Sequence, residues 1–226
     1  IRFRLIHTGQ HYDRLMADVF FKEFKFYKNI TYLNVKNNDS NQFISDVIKK
    51  YKKIIQNSKP DLTILFGDVN STLAVAIACN KSVIPIAHIE AGLRSYDKLM
   101  PEEHNRVITD HLSDLLFVTT LNAKKNLIKE NISKDKIFFV GNIMIETLIR
   151  FKNKLNKRKK TNKKYIVLTI HRPENTKNLK KIKEYFNILE HSLDKNTIVC
   201  FPVHHSVKSK INLLNYSKIK FIKPMS

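Results

Sequence analysis

Carboxylates serve as general acids and bases, while arginines and histidines beside free backbone amides hold anions. Six clusters in this chain of 226 residues carry such groups. Thr8-Gly9-Gln10-His11 presents Gln10 and His11 behind a turn. Gly67-Asp68 stands just ahead of Asn70-Ser71-Thr72; Asp68 fits a helix N-cap as well as an acid or base, although Asn70 and Ser71 are equally good caps. His88-Ile89-Glu90-Ala91-Gly92-Leu93-Arg94-Ser95 ends an apolar run in a carboxylate. A buried carboxylate is costly unless paired, and Arg94 is the evident partner of Glu90. A structural ion pair and a reactive acid both fit. In Pro101-Glu102-Glu103-His104-Asn105-Arg106, the residues Glu102, Arg106 and Asp110 repeat at i, i+4 and i+8 on one helical face. A surface salt-bridge ladder has that spacing too, but the cluster's place one short loop after Glu90 points to a shared site. His171-Arg172-Pro173-Glu174-Asn175 reads as an anion site or a capped surface turn. His204-His205 is not expected to bind metal, because consecutive side chains diverge.

What must position these groups is a series of short apolar runs. The chain holds four glycines, and each follows one: Arg2–His7, Leu62–Phe66, Ile84–Ile89 and Ile137–Val140. Runs of this length, rich in Ile, Val, Leu and Phe, predict parallel strands buried on both faces. Further strands are expected at Thr31–Val35 and Leu115–Val118. Between them lie helical patterns. Asn41–Ser58 sets Phe43, Val47, Ile48, Tyr51, Ile54 and Ile55 on one stripe. Ser71–Asn80 is small and apolar. Pro101 opens another helix at a first-turn position, with Glu102 and Glu103 favouring its positive end. Others start at Ala123 and cover Ile143–Leu155. Residues 156–164 contain no apolar side chain and read as a linker. A second series follows: strand Tyr165–Ile170, helix Leu179–Leu193, strand Thr197–Pro202, a short helix near Val207–Leu214 and strand Lys218–Ile222.

Strict alternation predicts an α/β protein with parallel, doubly wound sheets in two Rossmann-like domains, 1–155 and an incomplete 165–226. In such sheets ligands bind beyond the carboxyl ends of the strands, where the clusters sit. The chain begins with Ile1 inside a strand-like run and is expected to be a piece of a longer protein.

Composition narrows the function. Hydrophobic residues make up 42%, enough for a core and against intrinsic disorder. No apolar run suffices for a membrane helix, and both cysteines, Cys79 and Cys200, lie in apolar runs rather than in a disulfide or zinc pattern. A reduced, cytoplasmic protein is expected. Scattered glycines supply no phosphate-binding Gly-rich loop, which argues against NAD, FAD and ATP hydrolysis. Forty-one Lys and Arg against 20 Asp and Glu leave a formal charge of +21, which invites a nucleic-acid reading. The lysines come in blocks without stacking aromatics, and Asp68, Glu90 and Glu102 at one sheet edge would repel phosphates. No nucleic-acid partner is expected.

Taken in order, Thr8–His11, Gly67-Asp68, His88–Ser95, Pro101–Arg106, Thr109-Asp110-His111, Val140-Gly141-Asn142 and His171–Asn175 resemble the motifs of the UDP-N-acetylglucosamine 2-epimerases. The resemblance runs from about Leu5 to Pro224. It implies two Rossmann-like domains facing a cleft (GT-B type), a homodimer and no cofactor or metal. It also implies interconversion of UDP-N-acetylglucosamine and UDP-N-acetylmannosamine for polysaccharide synthesis, through loss of UDP, a bound 2-acetamidoglucal and re-addition. The C2 proton is not adjacent to a carbonyl, so departure of the diphosphate must lead. Inversion then needs proton donors or acceptors on both faces of C2. Asp68, Glu90 and Glu102 become the acid/base candidates by this likeness, and His171 a catalytic residue on the diphosphate side. Arg94 and Arg106 would orient carboxylates or phosphate. Gln10, His11, Arg172 and His204 match positions that some members use for a regulatory second substrate molecule, although Pro173 departs from those members' pattern. A hydrolysing relative releasing UDP and N-acetylmannosamine is the alternative outcome, and a GT-B glycosyltransferase a weaker one. Members begin earlier, with a substrate-contacting Gly-Thr-Arg-Pro-Glu turn, and continue further into a nucleotide site. These 226 residues alone are therefore expected to show little or no epimerase activity.

Overall fold

The computed structural model describes residues 1–9, 21, 23, 30–36, 39–155, 164–170, 175, 178–203 and 215–223. They divide into two compact units, with the later boundary between Asn153 and Lys154. Gln10, His11, residues 156–163, His171, Arg172, His204 and the helix expected near Val207–Leu214 lie outside the described residues.

In the first unit all described strands run parallel. β1 (Leu5–His7) pairs with β2 (Ile30–Tyr32), and a second ladder has the order β3 (Thr63–Phe66), β4 (Ile86–Ala91), β5 (Leu115–Val118), β6 (Ile137–Phe139). Helices alternate with them: α1 (Ser40–Asn57), α2 (Asn70–Lys81), α3 (Pro101–Leu112), α4 (Leu121–Lys129) and α5 (Ile143–Leu155). Asp39 starts α1 by accepting the Gln42 N–H at 2.7 Å. Its stripe of Phe43, Val47, Tyr51 and Ile55 then packs into one core with Leu33, Val35, Leu65, Ile86 and the apolar residues of α2. α2 is buried nearly all round, which its run of Ala, Val and Cys permits. The first ladder, with Ile6 against that core, and the second thus share a helix layer, although no described ladder joins β1 to β3.

Two expectations are corrected. β3 is not buried on both faces. Alternate residues of a strand point to opposite faces, so Thr63 and Leu65 turn to α1 and α2 while Ile64 and Phe66 remain 53% and 56% exposed. β4 starts at Ile86, later than expected, after Pro85, which has no N–H to give a ladder, and it continues past Ile89 to Ala91. That extension contains a bulge: Ile89 pairs with Phe117 and Ala91 with Val118, leaving Glu90 as the extra residue.

The second unit holds a parallel ladder of β7 (Lys164–Val167), β8 (Thr197–Pro202) and β9 (Ile219–Ile222), with helix α6 (Leu179–Ser192). Lys164, assigned to the linker by composition, is the first residue of β7 and pairs with Thr197. Asn178 caps α6 by accepting the Lys180 N–H at 3.0 Å. Ile182 and Phe186 of α6 are fully buried against Val199 and Phe201.

Candidate active site

The carboxyl ends of β3 and β4 lie side by side, and α3 begins just beyond them. Gly67 leaves β3 with φ +65°, a left-handed conformation that glycine reaches without a Cβ penalty. Asp68 follows. It does not cap α2, whose N-cap is Val69 and makes no side-chain cap bond. Its carboxylate instead takes the Arg106 guanidinium at 2.5 Å, while its backbone carbonyl accepts the Asn105 side-chain amide at 2.8 Å. Both donors come from α3, so that helix fixes Asp68 at two points.

Glu90 sits next door. As the bulged residue of β4 it has φ +70°, a left-handed conformation that costs a non-glycine residue on the order of 1–3 kcal/mol. Bulges re-aim side chains, commonly beside active sites. Glu90 is half-buried, and its Oε2 would lie 3.8 Å from a Cβ built on Gly67, which places the carboxylate beside the turn that carries Asp68. No described residue forms an ion pair with it.

Arg94 is not the partner of Glu90. Its side chain, 1% exposed, donates from Nε and Nη2 to both oxygens of Glu130 at 2.7 Å, and from Nη1 to Asp110 Oδ2 at 2.7 Å. Burial disfavours its charge, but Glu130 and Asp110 outweigh that and raise the guanidinium pKa further, so it is permanently cationic. Between Glu90 and Arg94 the chain turns at Gly92. A Cβ there would collide with the Ala123 carbonyl oxygen, and the φ is +77°. Beyond that turn Arg94 meets Glu130, the residue that caps the end of α4.

The face of α3 is likewise not a surface ladder. Glu102 in its first turn is exposed; Arg106, one turn on, is drawn across to Asp68; Asp110 is buried with His88 and Arg94. Glu102 and Arg106 are neighbours on the helix surface by their spacing. Asp68, Glu90 and Arg106 are therefore brought to one sheet edge, and Glu102 lies one turn before Arg106 on α3. Arg94 serves that edge from behind.

Several working residues escaped the sequence reading. Glu103, assigned there only to the helix dipole, accepts the Ser95 and Tyr96 N–H groups at 2.8 and 3.0 Å and the Ser95 hydroxyl at 2.9 Å, and pairs with Arg106. Burial works against its charge, but those donors prevail and hold its pKa below the usual carboxylate range. His88, fully buried, reaches Asp110 Oδ1 from Nδ1 at 2.7 Å and the Gly67 carbonyl from Nε2 at 2.8 Å. Adjacency within the motifs pointed to His88 and Glu103. Nothing local pointed to Glu130, which lies 36 residues from Arg94. Among the described residues no group of three or more His, Cys, Asp or Glu is placed to hold a metal ion, and no helix is long and apolar enough to cross a membrane.

The sequence profile of the UDP-N-acetylglucosamine 2-epimerases matches residues 1–226. The chain belongs to that family. It is 39% identical to the UDP-N-acetylglucosamine 2-epimerase of Methanococcus maripaludis over 99% of its own length and 66% of that protein's. The Methanocaldococcus jannaschii enzyme of the same name is 35% identical over 100% and 66%. The chain thus spans about two thirds of the length of these curated relatives. Among solved structures, the Methanocaldococcus jannaschii epimerase in complex with UDP-GlcNAc and UDP superposes with a TM-score of 0.88 at 34% identity, covering 99% of this chain and 66% of that one. The Neisseria meningitidis epimerase bound to UDP-GlcNAc gives 0.89 at 29%, covering 98% and 64%. The fold of this epimerase-family chain is accordingly of the GT-B type, α/β with parallel sheets, with its second Rossmann-like domain represented in part.

Proposed function

We propose that this chain carries the acid–base part of a UDP-N-acetylglucosamine 2-epimerase, which interconverts UDP-N-acetylglucosamine and UDP-N-acetylmannosamine. The observation that carries the reading is the Glu90 bulge: a strained carboxylate, without an ion-pair partner among the described residues, held beside the turn that bears Asp68. Two acids with different surroundings suit a reaction that must add and remove a proton on both faces of C2. Asp68 is held in place by Arg106, fitted to face positive charge developing at C1 as UDP departs. Glu90, with no cation beside it among the described residues, is fitted to exchange a proton. Glu102, exposed at the start of α3, is the third candidate.

His171 is assigned to the diphosphate side on family likeness, as are Gln10, His11, Arg172 and His204 to a regulatory site. Domains 1–155 and 164–226, joined through 156–163, a homodimer in the cytoplasm and supply of amino sugar to polysaccharide synthesis complete the proposal. The non-hydrolysing outcome is favoured by its archaeal relatives, which carry the epimerase name.

The test is product analysis on the complete polypeptide given UDP-N-acetylglucosamine. Two interconverting UDP-sugars are expected; free sugar with UDP would replace epimerisation by hydrolysis, and an unchanged substrate would end the reading. Glu90→Gln should lower kcat by ~10²–10⁴-fold, the usual worth of a positioned acid or base, while the protein stays folded.

A further inference from the structure

A left-handed glutamate inside a strand persists only where its surroundings over-determine it. The residues flanking Glu90 show what does so. Two positions before it, the His88 Nδ1 meets Asp110 Oδ1 at 2.7 Å. Two positions after it, the Gly92 N–H donates to Asp110 Oδ2 at 3.0 Å. One buried carboxylate on α3, 1% exposed, therefore grips the strand on both sides of the bulge. Arg94 completes the grip by donating to the same Oδ2 and to the Leu93 carbonyl, each at 2.7 Å. The other ring nitrogen of His88 carries the clamp to the neighbouring strand. A carbonyl oxygen only accepts, so Nε2 bears a hydrogen and donates it to the Gly67 carbonyl, immediately before Asp68.

We infer that Asp110, acting through His88 and the Gly92 amide, is the positioning residue that holds Glu90 in its bulge and ties that bulge to the turn bearing Asp68. The inference rests on the catalytic reading of Glu90 above but assigns a role to groups that need not touch substrate. Displacements of about 1 Å at a reacting group can cost ~10²-fold in rate, so a clamp of this kind is felt in turnover before it is felt in binding. Glu130 lies at the far end of the same chain of charges, on Arg94, and does not contact the bulge.

Asp110→Asn keeps the side chain's volume but removes its charge and turns one acceptor oxygen into an amide donor, so the side chain no longer offers two acceptor oxygens to His88, Gly92 and Arg94 together. In the complete polypeptide kcat should fall ~10²-fold with KM changed far less. The deciding measurement is a double-mutant cycle with Glu90→Gln. If Asp110 works through Glu90, adding Asp110→Asn to Glu90→Gln slows the enzyme no further. Multiplying losses would mean a general structural role and would overturn the inference. If Glu90→Gln cripples the enzyme and Asp110→Asn does not, the inference fails while the catalytic reading stands. If Glu90→Gln leaves turnover intact, the catalytic reading fails and takes the inference with it. A readout independent of activity is the backbone NMR signature of positive φ at Glu90 in this chain. It should be present in the wild type and lost in Asp110→Asn, and its retention in the variant would refute the clamp. Should Asp110→Asn not fold, His88→Asn leaves the Gly92 and Arg94 bonds in place. It should lower kcat ~10-fold, less than a displacement of about 1 Å would, and add nothing to Glu90→Gln, additive losses again counting against the proposal.

Discussion

At the carboxyl ends of β3 and β4, the first unit is tied to α3 by ion pairs, Asp68 to Arg106 and Arg94 to Asp110, with His88 set against Asp110 and Arg94 reaching on to Glu130 beyond α4. In the second unit, α6 is tied to β8 and β9 by rings. Phe186 meets Phe201, Phe221 and Tyr216 edge-on at centroid distances of 5.4–5.6 Å. Its half-buried Glu190 receives the Ser217 and Lys218 amides rather than a cation's side chain. Rings packed this way hold two elements together without fixing a direction for any polar group. Buried ion pairs are an inefficient source of stability, since desolvation offsets most of their attraction. What they fix is direction, and the first unit spends them where two carboxylates must be aimed.

That contrast can be broken from either side. Arg94→Met should have the largest effect, about 3–5 kcal/mol of unfolding free energy, because Asp110 and Glu130 both lose their counter-ion; chemical denaturation measures it. A loss under about 1 kcal/mol would mean that the charges are as dispensable as surface pairs. Phe186→Ala in the second unit should come next, near the lower end of the ~3–5 kcal/mol seen for aromatic truncations, since Phe201, Phe221 and Tyr216 can partly close around the gap. Smallest is Glu103→Gln, which sharpens the comparison through pH. The Glu103 pKa is lowered by folding, so its contribution is full above the unfolded value of about 4.3 and disappears as pH falls through the folded one. Stability measured from pH 7 down to pH 3 should fall less steeply in the variant than in the wild type. Equal slopes would remove Glu103 from the group that orders the Ser95–Tyr96 loop.

The same contrast explains what could be read in advance. The helix over Ile143–Leu155 and the strand Thr197–Pro202 have the bounds that periodicity predicts, because their patterns are local. So is the stripe from Phe43 to Ile55. Asp68 and Glu90 are legible as neighbours because strand ends in a parallel sheet share an edge. The partner of Arg94 was not, because it depends on the turn at Gly92 and on Glu130, 36 residues away at the C-cap of α4. Nor was the bulge: glutamate has no preference for left-handed backbone, and only the contacts of Asp110 from α3 make that conformation affordable. Lys164 looked like linker because charge dominates its neighbourhood, whereas pairing with Thr197 satisfies its backbone regardless of side chain.

Gly67 and Gly92 share a left-handed backbone but not the same surroundings. The space beside Gly67 is open to within 3.8 Å of Glu90, whereas Gly92 is pressed against Ala123 and Leu127. A selection for folded chains would therefore return asparagine or aspartate alongside glycine at the first position. At the second it would return glycine alone. The two sites, alike in a Ramachandran plot, would differ completely in their tolerance of inherited change.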